Sequence, residues 1–262
     1  MAAIIPLTRI TDPETGLPGN RATIAKYCTF KRDTGFRKGG NVVSDCIEMY
    51  VYYEGNNVAL PLSSALELYP GLKLKNYIPK IPKNLWRYPK PDQEEMVNML
   101  FRNLTEKHTA MLDADPGMGK TFASLLAAIS FGLNTVVICP RVDNCIQWVN
   151  ECLEIAPYMS DQICLKGSVT DKSSMATPEN AKLLVMRGGM LIPRKNKITG
   201  KMELEIPATT LRRYEMVILD ETHLLATEGQ MLGVLNFTGA TYVIGCSGTP
   251  EKPDKRHEMI QF

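Results

Sequence analysis

The eight residues Ala114-Asp-Pro-Gly-Met-Gly-Lys-Thr121 restrict what this chain can fold into more than any other stretch of it. Apolar Ala110-Met-Leu112 precedes them and Phe122-Ala-Ser-Leu-Leu-Ala-Ala-Ile129 follows, so a glycine-rich turn sits between a short strand and a helix. In that context the pattern is a P-loop, a cradle for phosphates. Gly117 and Gly119 let successive backbone N–H groups point inward, and the new helix adds its positive end to the same concavity. Asp115, Pro116, Gly117, Met118, Gly119, Lys120 and Thr121 are therefore the nucleotide-binding candidates. Lys120 is placed to reach β- and γ-phosphates, and the Thr121 hydroxyl to complete the oxygen shell of a magnesium ion. The first glycine of the usual pattern is Ala114 here. By itself the loop leaves kinases, GTPases, ABC-type and AAA-type ATPases and helicases open.

Composition restricts less. With 262 residues the chain has room for one large or two modest domains. A net charge of +2 announces no overall affinity for nucleic acid, so any such surface is local. The seven cysteines, at 28, 46, 139, 145, 152, 164 and 246, include no C-x-x-C pair and point to neither a disulfide framework nor a zinc site. Reduced thiols in an intracellular compartment are expected. Neither a signal peptide nor a bilayer-spanning apolar run is present in this sequence, so a soluble protein with no membrane partner is expected.

Residues 1–85 are proline-punctuated and mixed in charge, and read as a separate small α+β unit with its linker. Cys46 to Tyr53 and Val58 to Leu62 flank Glu54-Gly-Asn-Asn57, the composition of a β-hairpin. Ser63 to Tyr69 predicts a short helix ended by Pro70-Gly71, and four prolines between Ile78 and Pro91 predict an extended linker. Beyond it the pattern alternates. Helices are predicted at Gln93 to Leu104, Thr121 to Phe131 and Asp143 to Ile155, the last with apolar Cys145, Ile146, Val149, Cys152 and Leu153. Strands are predicted at Ala110 to Asp113, Thr135 to Cys139, Lys182 to Val185, Met216 to Leu219 and Thr241 to Gly245. Such alternation predicts an α/β fold, a parallel sheet flanked by helices, with ligands beyond the carboxyl ends of the strands. The stretch Met190 to Ile206 interrupts it as a basic hairpin about Thr199-Gly200, either solvated or in contact with phosphates.

The strand Met216-Val-Ile-Leu219 ends in Asp220-Glu-Thr-His223. In a P-loop enzyme an acidic residue at the end of a neighbouring strand holds the magnesium and an adjacent carboxylate polarises the attacking water. Asp220 suits the first role and Glu221 the second.

Asp-Glu-Thr-His has the form of a DExH box, and with it the chain resembles the superfamily 2 helicases and translocases. Ser247-Gly-Thr-Pro250 resembles the family's third motif, which links the nucleotide site to the nucleic-acid track. Pro140 and Gln147-Trp148-x-x-Glu151 resemble motif Ia of the branch that includes UvsW-type, RecG-type and poxvirus transcript-release helicases. Gln93 stands where that branch carries an adenine-reading glutamine; a carboxamide both donates and accepts, matching the adenine edge, so ATP is implied. The match covers about residues 86–250. It implies a RecA-like ATP-binding domain over residues 86–262, coupling of His223 to Ser247 and Thr249, and a backbone contact at Arg141. Two departures stand out. The usual Arg-x-Tyr-Gln is Lys90-Pro-Asp-Gln93, which leaves adenine stacking to Tyr88 or Trp86, and Val185-Met-Arg-Gly-Gly189 replaces a threonine-containing strand end. Arg187 there either touches phosphates or belongs to a simple turn. Trp148 is expected to be packed rather than stacked on a base.

Superfamily 2 enzymes hold ATP between two RecA-like lobes, the second supplying arginine fingers. At roughly 100–200 residues per domain the chain has no room for both lobes after residues 1–85, so a fragment is expected. Loss of arginine fingers removes about 10³–10⁵ in turnover. Weak ATP binding, little hydrolysis and no unwinding are expected of these residues alone. The complete protein is expected to be an ATP-driven helicase or translocase using ATP and Mg²⁺ on nucleic acid, with DNA preferred over RNA. The alternative is a nucleic-acid-binding module with a regulatory or inactive nucleotide site. Residues 1–85 serve either DNA recognition or packing.

Overall fold

The computed structural model of the chain describes residues 2–38, 41–48, 50–53, 55–167, 176–197, 200–225, 230, 233–234, 236–237 and 239–248. Residues 249 and 250, half of the expected third motif, lie outside these, as do 198 and 199 of the basic hairpin.

The N-terminal elements are β1 (Ala2–Pro6), α1 (Arg21–Cys28), β2 (Thr29–Lys38), β3 (Asn41–Glu48), β4 (Val51–Tyr53), β5 (Asn57–Pro61) and α2 (Leu62–Leu68). The expected hairpin is β4 and β5, turned by Gly55 and Asn56, both in the left-handed region at φ 73° and 61°. Its first arm is shorter than the sequence implies, because residues 41–48 pair with β2 instead. β1 completes an antiparallel sheet in the order β1-β5-β4, over which Ile5, Ile24, Leu60 and Leu68 form a small core. α1 starts on a reciprocal cap: Asn20 Oδ1 accepts from the N–H of Thr23 (3.1 Å) and Thr23 Oγ1 from that of Asn20 (3.2 Å).

Residues 72–90 contain no helix or strand. They are laid along the following elements instead: α3 (Pro91–Lys107), β6 (Thr109–Asp113), α4 (Lys120–Phe131), β7 (Thr135–Cys139), α5 (Val142–Ile155), β8 (Ile163–Lys166), β9 (Leu183–Arg187), β10 (Arg194–Lys195), β11 (Met202–Glu203), α6 (Ala208–Leu211), β12 (Met216–Leu219), α7 (Thr222–Leu225) and β13 (Tyr242–Ser247). The N–H groups of Tyr77, Lys80 and Trp86 donate to Tyr242 Oη (2.8 Å), Ser130 O (2.7 Å) and Ile155 O (2.9 Å). The linker is thereby fixed to the ends of β13, α4 and α5 that lie away from the P-loop.

Six strands form one parallel sheet in the order β6-β13-β12-β7-β9-β8. Successive residues of its inner strands bury on opposite faces, as a sheet covered on both sides requires. Val137, Val185, Ile218 and Ile244 join a core with Leu100, Leu126 and Cys152 from α3, α4 and α5. Val136, Leu184 and Val217 join a second core with Leu211, Leu225 and Phe237. The expected alternation is therefore present, with one addition, β8, and one correction. The strand carrying Asp220 is not next to the P-loop strand: β13 lies between them, paired with β6 on one side and β12 on the other. Its register sets Ser247 opposite Asp113 and Gly245 opposite Leu219, so the third motif begins between the other two. The basic insertion is a two-rung hairpin, Arg194 opposite Glu203 and Lys195 opposite Met202.

Candidate nucleotide site

At the carboxyl end of β6 the chain turns through two glycines with φ of 87° at Gly117 and 91° at Gly119, a conformation that side-chain-bearing residues rarely adopt. Gly119 is also the N-cap of α4, and its carbonyl accepts the Ala123 N–H at 2.9 Å. Lys120 folds back over the loop, its ammonium donating to the Ala114 carbonyl and to that of Asp115 (3.2 Å). Thr121 follows in the first turn, half-buried. Gln93 is 5 % exposed and packs on the loop: a β-carbon at Gly119 would collide with its Nε2. Its Oε1 accepts the Lys90 N–H at 3.3 Å. Tyr88 ties its hydroxyl to the Lys83 carbonyl (2.9 Å) and leaves its ring half exposed, whereas Trp86 sits at the far end of α5.

Two strands away, Asp220 anchors its N–H on Ile138 O (2.9 Å) at the end of β12. Burial raises its carboxyl pKa from the ordinary 3.8 to about 6; the Trp148 indole N–H acts against burial, the Glu221 charge adds to it, and the Lys120 charge again opposes it. Trp148 is 2 % exposed, so it is a packed side chain whose polar edge meets the carboxylate. Glu221 adopts φ 47°, a strained position for a residue with a side chain. That turn brings its Oε2 to 3.4 Å from His223 Nδ1, and the same nitrogen lies 2.8 Å from Ser247 Oγ. The Ala114 N–H reaches Ser247 O at 3.4 Å, which closes the ring of motifs back to the P-loop.

The structure thus gathers Gln93, residues 115–121, Asp220, Glu221, His223 and Ser247 on one edge of the sheet. Arg141, the exposed N-cap of α5, lines a cleft with Asp115, Pro116, Glu221, His223 and Gly248. Arg187 ends β9 on the same edge, but its Nε is buried with no hydrogen-bond partner among the described residues, against Gly167 and outside that cleft. Gly248, within the expected third motif, runs beside Lys120. One contributor escapes the sequence: Ser124 of α4 meets Cys246 of β13 at 3.3 Å inside the core, and neither residue type carries a motif signal by itself.

A parallel sheet with one strand between the P-loop and the acidic strand, and a histidine bridging to the intervening strand, is the arrangement of a RecA-like P-loop lobe. The sequence profile of DEAD/DEAH box helicases matches residues 90–256, and the chain belongs to that family. Among curated proteins, the TFIIH basal transcription factor complex helicase/translocase XPB subunit of Trypanosoma brucei brucei (strain 927/4 GUTat10.1) is 26 % identical over 164 residues, 60 % of this chain. The match spans 17 % of that relative's length. A structure of the UvsW helicase from bacteriophage T4 superposes with a TM-score of 0.58 at 15 % identity, covering 93 % of this chain and 92 % of that one. A second T4 UvsW structure gives 0.55 at 16 % identity, covering 88 % and 49 %. The structural likenesses establish the expected RecA-like fold, and the family match carries the superfamily 2 assignment. No helix among the described residues is long and apolar enough to cross a membrane.

Proposed function

We propose that residues 86–262 are the ATP-binding lobe of an ATP-driven DNA helicase or translocase, with residues 1–85 an accessory unit and linker. The observation that carries this reading is the continuous chain of contacts from Ala114 through Ser247 and His223 to Glu221. It joins a phosphate cradle to a carboxylate beside the cleft that holds Arg141.

In this reading Lys120 exchanges its loop carbonyls for the β- and γ-phosphates, and the amides of Gly117 to Thr121 neutralise the remaining charge. Gln93 reads the adenine edge, with Tyr88 better placed than Trp86 to stack on the base. Thr121 and Asp220 form an all-oxygen donor set that fits magnesium and would hold it. Magnesium bound there supplies charge neutralisation on the phosphates. Asp220 must be ionised for this, so its pKa of about 6 leaves it charged at neutral pH. Glu221 accepts the proton of the attacking water. His223 reports the state of Glu221 to Ser247 and onward through Thr249 to nucleic acid, whose backbone Arg141 grips. Arg187 belongs to the same track once its guanidinium turns outward. A second RecA-like lobe supplies the arginine fingers and the other wall of the site. The preference for DNA rests on the motif branch.

The test is Glu221→Gln in the complete enzyme with duplex DNA and RNA as stimulators. Turnover should fall by about 10²–10⁴ with ATP binding retained. Wild-type turnover retained in the variant would overturn the base assignment, and a wild-type protein that binds ATP without any turnover would favour a regulatory nucleotide site.

A further inference from the structure

Arg87 belongs to no motif, yet it is the side chain through which the segment ahead of Gln93 is fastened to the rest of the site. Residues 85–90 have no helix or strand to hold them, and Pro89 and Pro91 remove two backbone donors. Leu85, 6 % exposed, and the Trp86 N–H on Ile155 O (2.9 Å) fix the segment at one end. At the other, Lys90 and Gln93 exchange bonds, Lys90 N–H to Gln93 Oε1 (3.3 Å) and Gln93 N–H to Lys90 O (2.8 Å).

Between these ends Arg87 reaches into the lobe. Its Nη1 lies 2.6 Å from Glu151 Oε1 and 3.7 Å from Glu154 Oε2, both on α5. Its guanidinium carbon stands 4.7 Å from the ring centroid of Phe122, a fully buried residue of α4 two positions after Lys120. The Arg87 and Glu151 side chains are 32 % and 22 % exposed, so the pair is more desolvated than an ordinary surface ion pair. One cation therefore binds the pre-Gln93 segment to the P-loop helix and to its neighbour at once. A lysine has no planar group to satisfy ring and carboxylate together.

We infer that Arg87 is a positioning residue for base selection: it holds the segment that keeps Gln93 against Gly119, and acts on the nucleotide through Gln93 and not through the phosphates. This rests on Gln93 as the adenine contact. The phosphate cradle is formed by the turn through Gly117 and Gly119 and by Lys120 itself, with Gln93 packed beside it, so base and phosphate recognition are predicted to be separable.

The experiment is equilibrium binding of ATP, GTP and inorganic tripolyphosphate, each with magnesium, to the 262-residue chain and to its Arg87→Met, Arg87→Lys and Gln93→Ala variants. Methionine keeps the apolar stem over Phe122, which protects the fold. Gln93→Ala should bring the ATP:GTP affinity ratio near one. Arg87→Met should lower that ratio by about 3- to 30-fold with tripolyphosphate binding unchanged, and Arg87→Lys should fall between. A wild-type ratio in Arg87→Met, when Gln93→Ala has lost it, would overturn the role of Arg87 alone. Equal weakening of ATP, GTP and tripolyphosphate would also overturn it, by showing general damage. A wild-type ratio in Gln93→Ala would remove the adenine contact and the inference together.

Discussion

His223 Nδ1 stands 2.8 Å from Ser247 Oγ, and one nitrogen of the DExH motif thus touches the third motif across the gap between β12 and β13. Glu221 Oε2 approaches the same nitrogen at 3.4 Å, so one imidazole nitrogen stands between the two oxygens. Ser247→Ala removes the hydroxyl without altering the phosphate cradle. In the complete enzyme it should leave ATP binding within about twofold and reduce nucleic-acid-stimulated turnover about 5- to 10-fold, the value of one hydrogen bond. Steady-state ATPase assays with and without DNA check this.

Asp220 is held for function at the expense of stability. Its folded pKa of about 6 exceeds the ordinary 3.8, so the native state binds the proton more tightly than the unfolded chain. Stability contributed by the protonated form is complete below about pH 4 and is lost as pH rises through about 6. Asp220→Asn should therefore raise stability at pH 7.5 without magnesium by about 1–3 kcal/mol and flatten the profile between pH 4 and 6. Urea unfolding at several pH values measures both.

Trp148 offers a direct optical report on the same carboxylate. The chain has two tryptophans: Trp86 is 80 % exposed and Trp148 is 2 % exposed with its indole on Asp220. In a Trp86→Phe background, magnesium with ATP should change the remaining emission, and adding Asp220→Asn should abolish the response. A response that survives Asp220→Asn would place the ion elsewhere.

The glycines of the site are not equivalent. At Gly119 a β-carbon meets Gln93 in a backbone with φ 91°, whereas at Gly248 the nearest atom is 3.6 Å from the built β-carbon, an ordinary contact. Gly119→Ala should lose about 1–3 kcal/mol and its ATP binding, while Gly248→Ala should stay within about 0.5 kcal/mol of wild type. Thermal unfolding of the two variants with and without ATP separates them.

Local patterns revealed most of the lobe because P-loop, DExH box and parallel strands are contiguous in sequence. α5 shows where such patterns fail. Ile146 reads as part of its apolar face but is 37 % exposed, and the stripe that faces the core is Cys145, Trp148, Cys152 and Ile155. The bulk of Trp148 beneath Asp220 sets the helix rotation, a tertiary constraint invisible in the helix alone. β8 escaped because its three apolar residues, Ile163 to Leu165, give too short a run before Lys166, β1 because its partner β5 is remote, and β2 because Lys31, Arg32, Asp33, Arg37 and Lys38 hide any apolar alternation although its partner β3 follows directly. Strand order is nonlocal as well: nothing in Tyr242 to Ser247 announces that it inserts between β6 and β12. The Arg87 contact with Glu151, 64 residues away, is hidden for the same reason.

Equilibrium binding of ATP to the chain and to Lys120→Ala, with and without magnesium, tests the central claim most directly. Saturable binding that strengthens with magnesium and weakens at least about tenfold in Lys120→Ala is the predicted result, as expected for loss of a lysine that pairs with the β- and γ-phosphates. Binding that ignores both magnesium and Lys120 would contradict the assignment of residues 114–121, Asp220 and Glu221 as an ATP site.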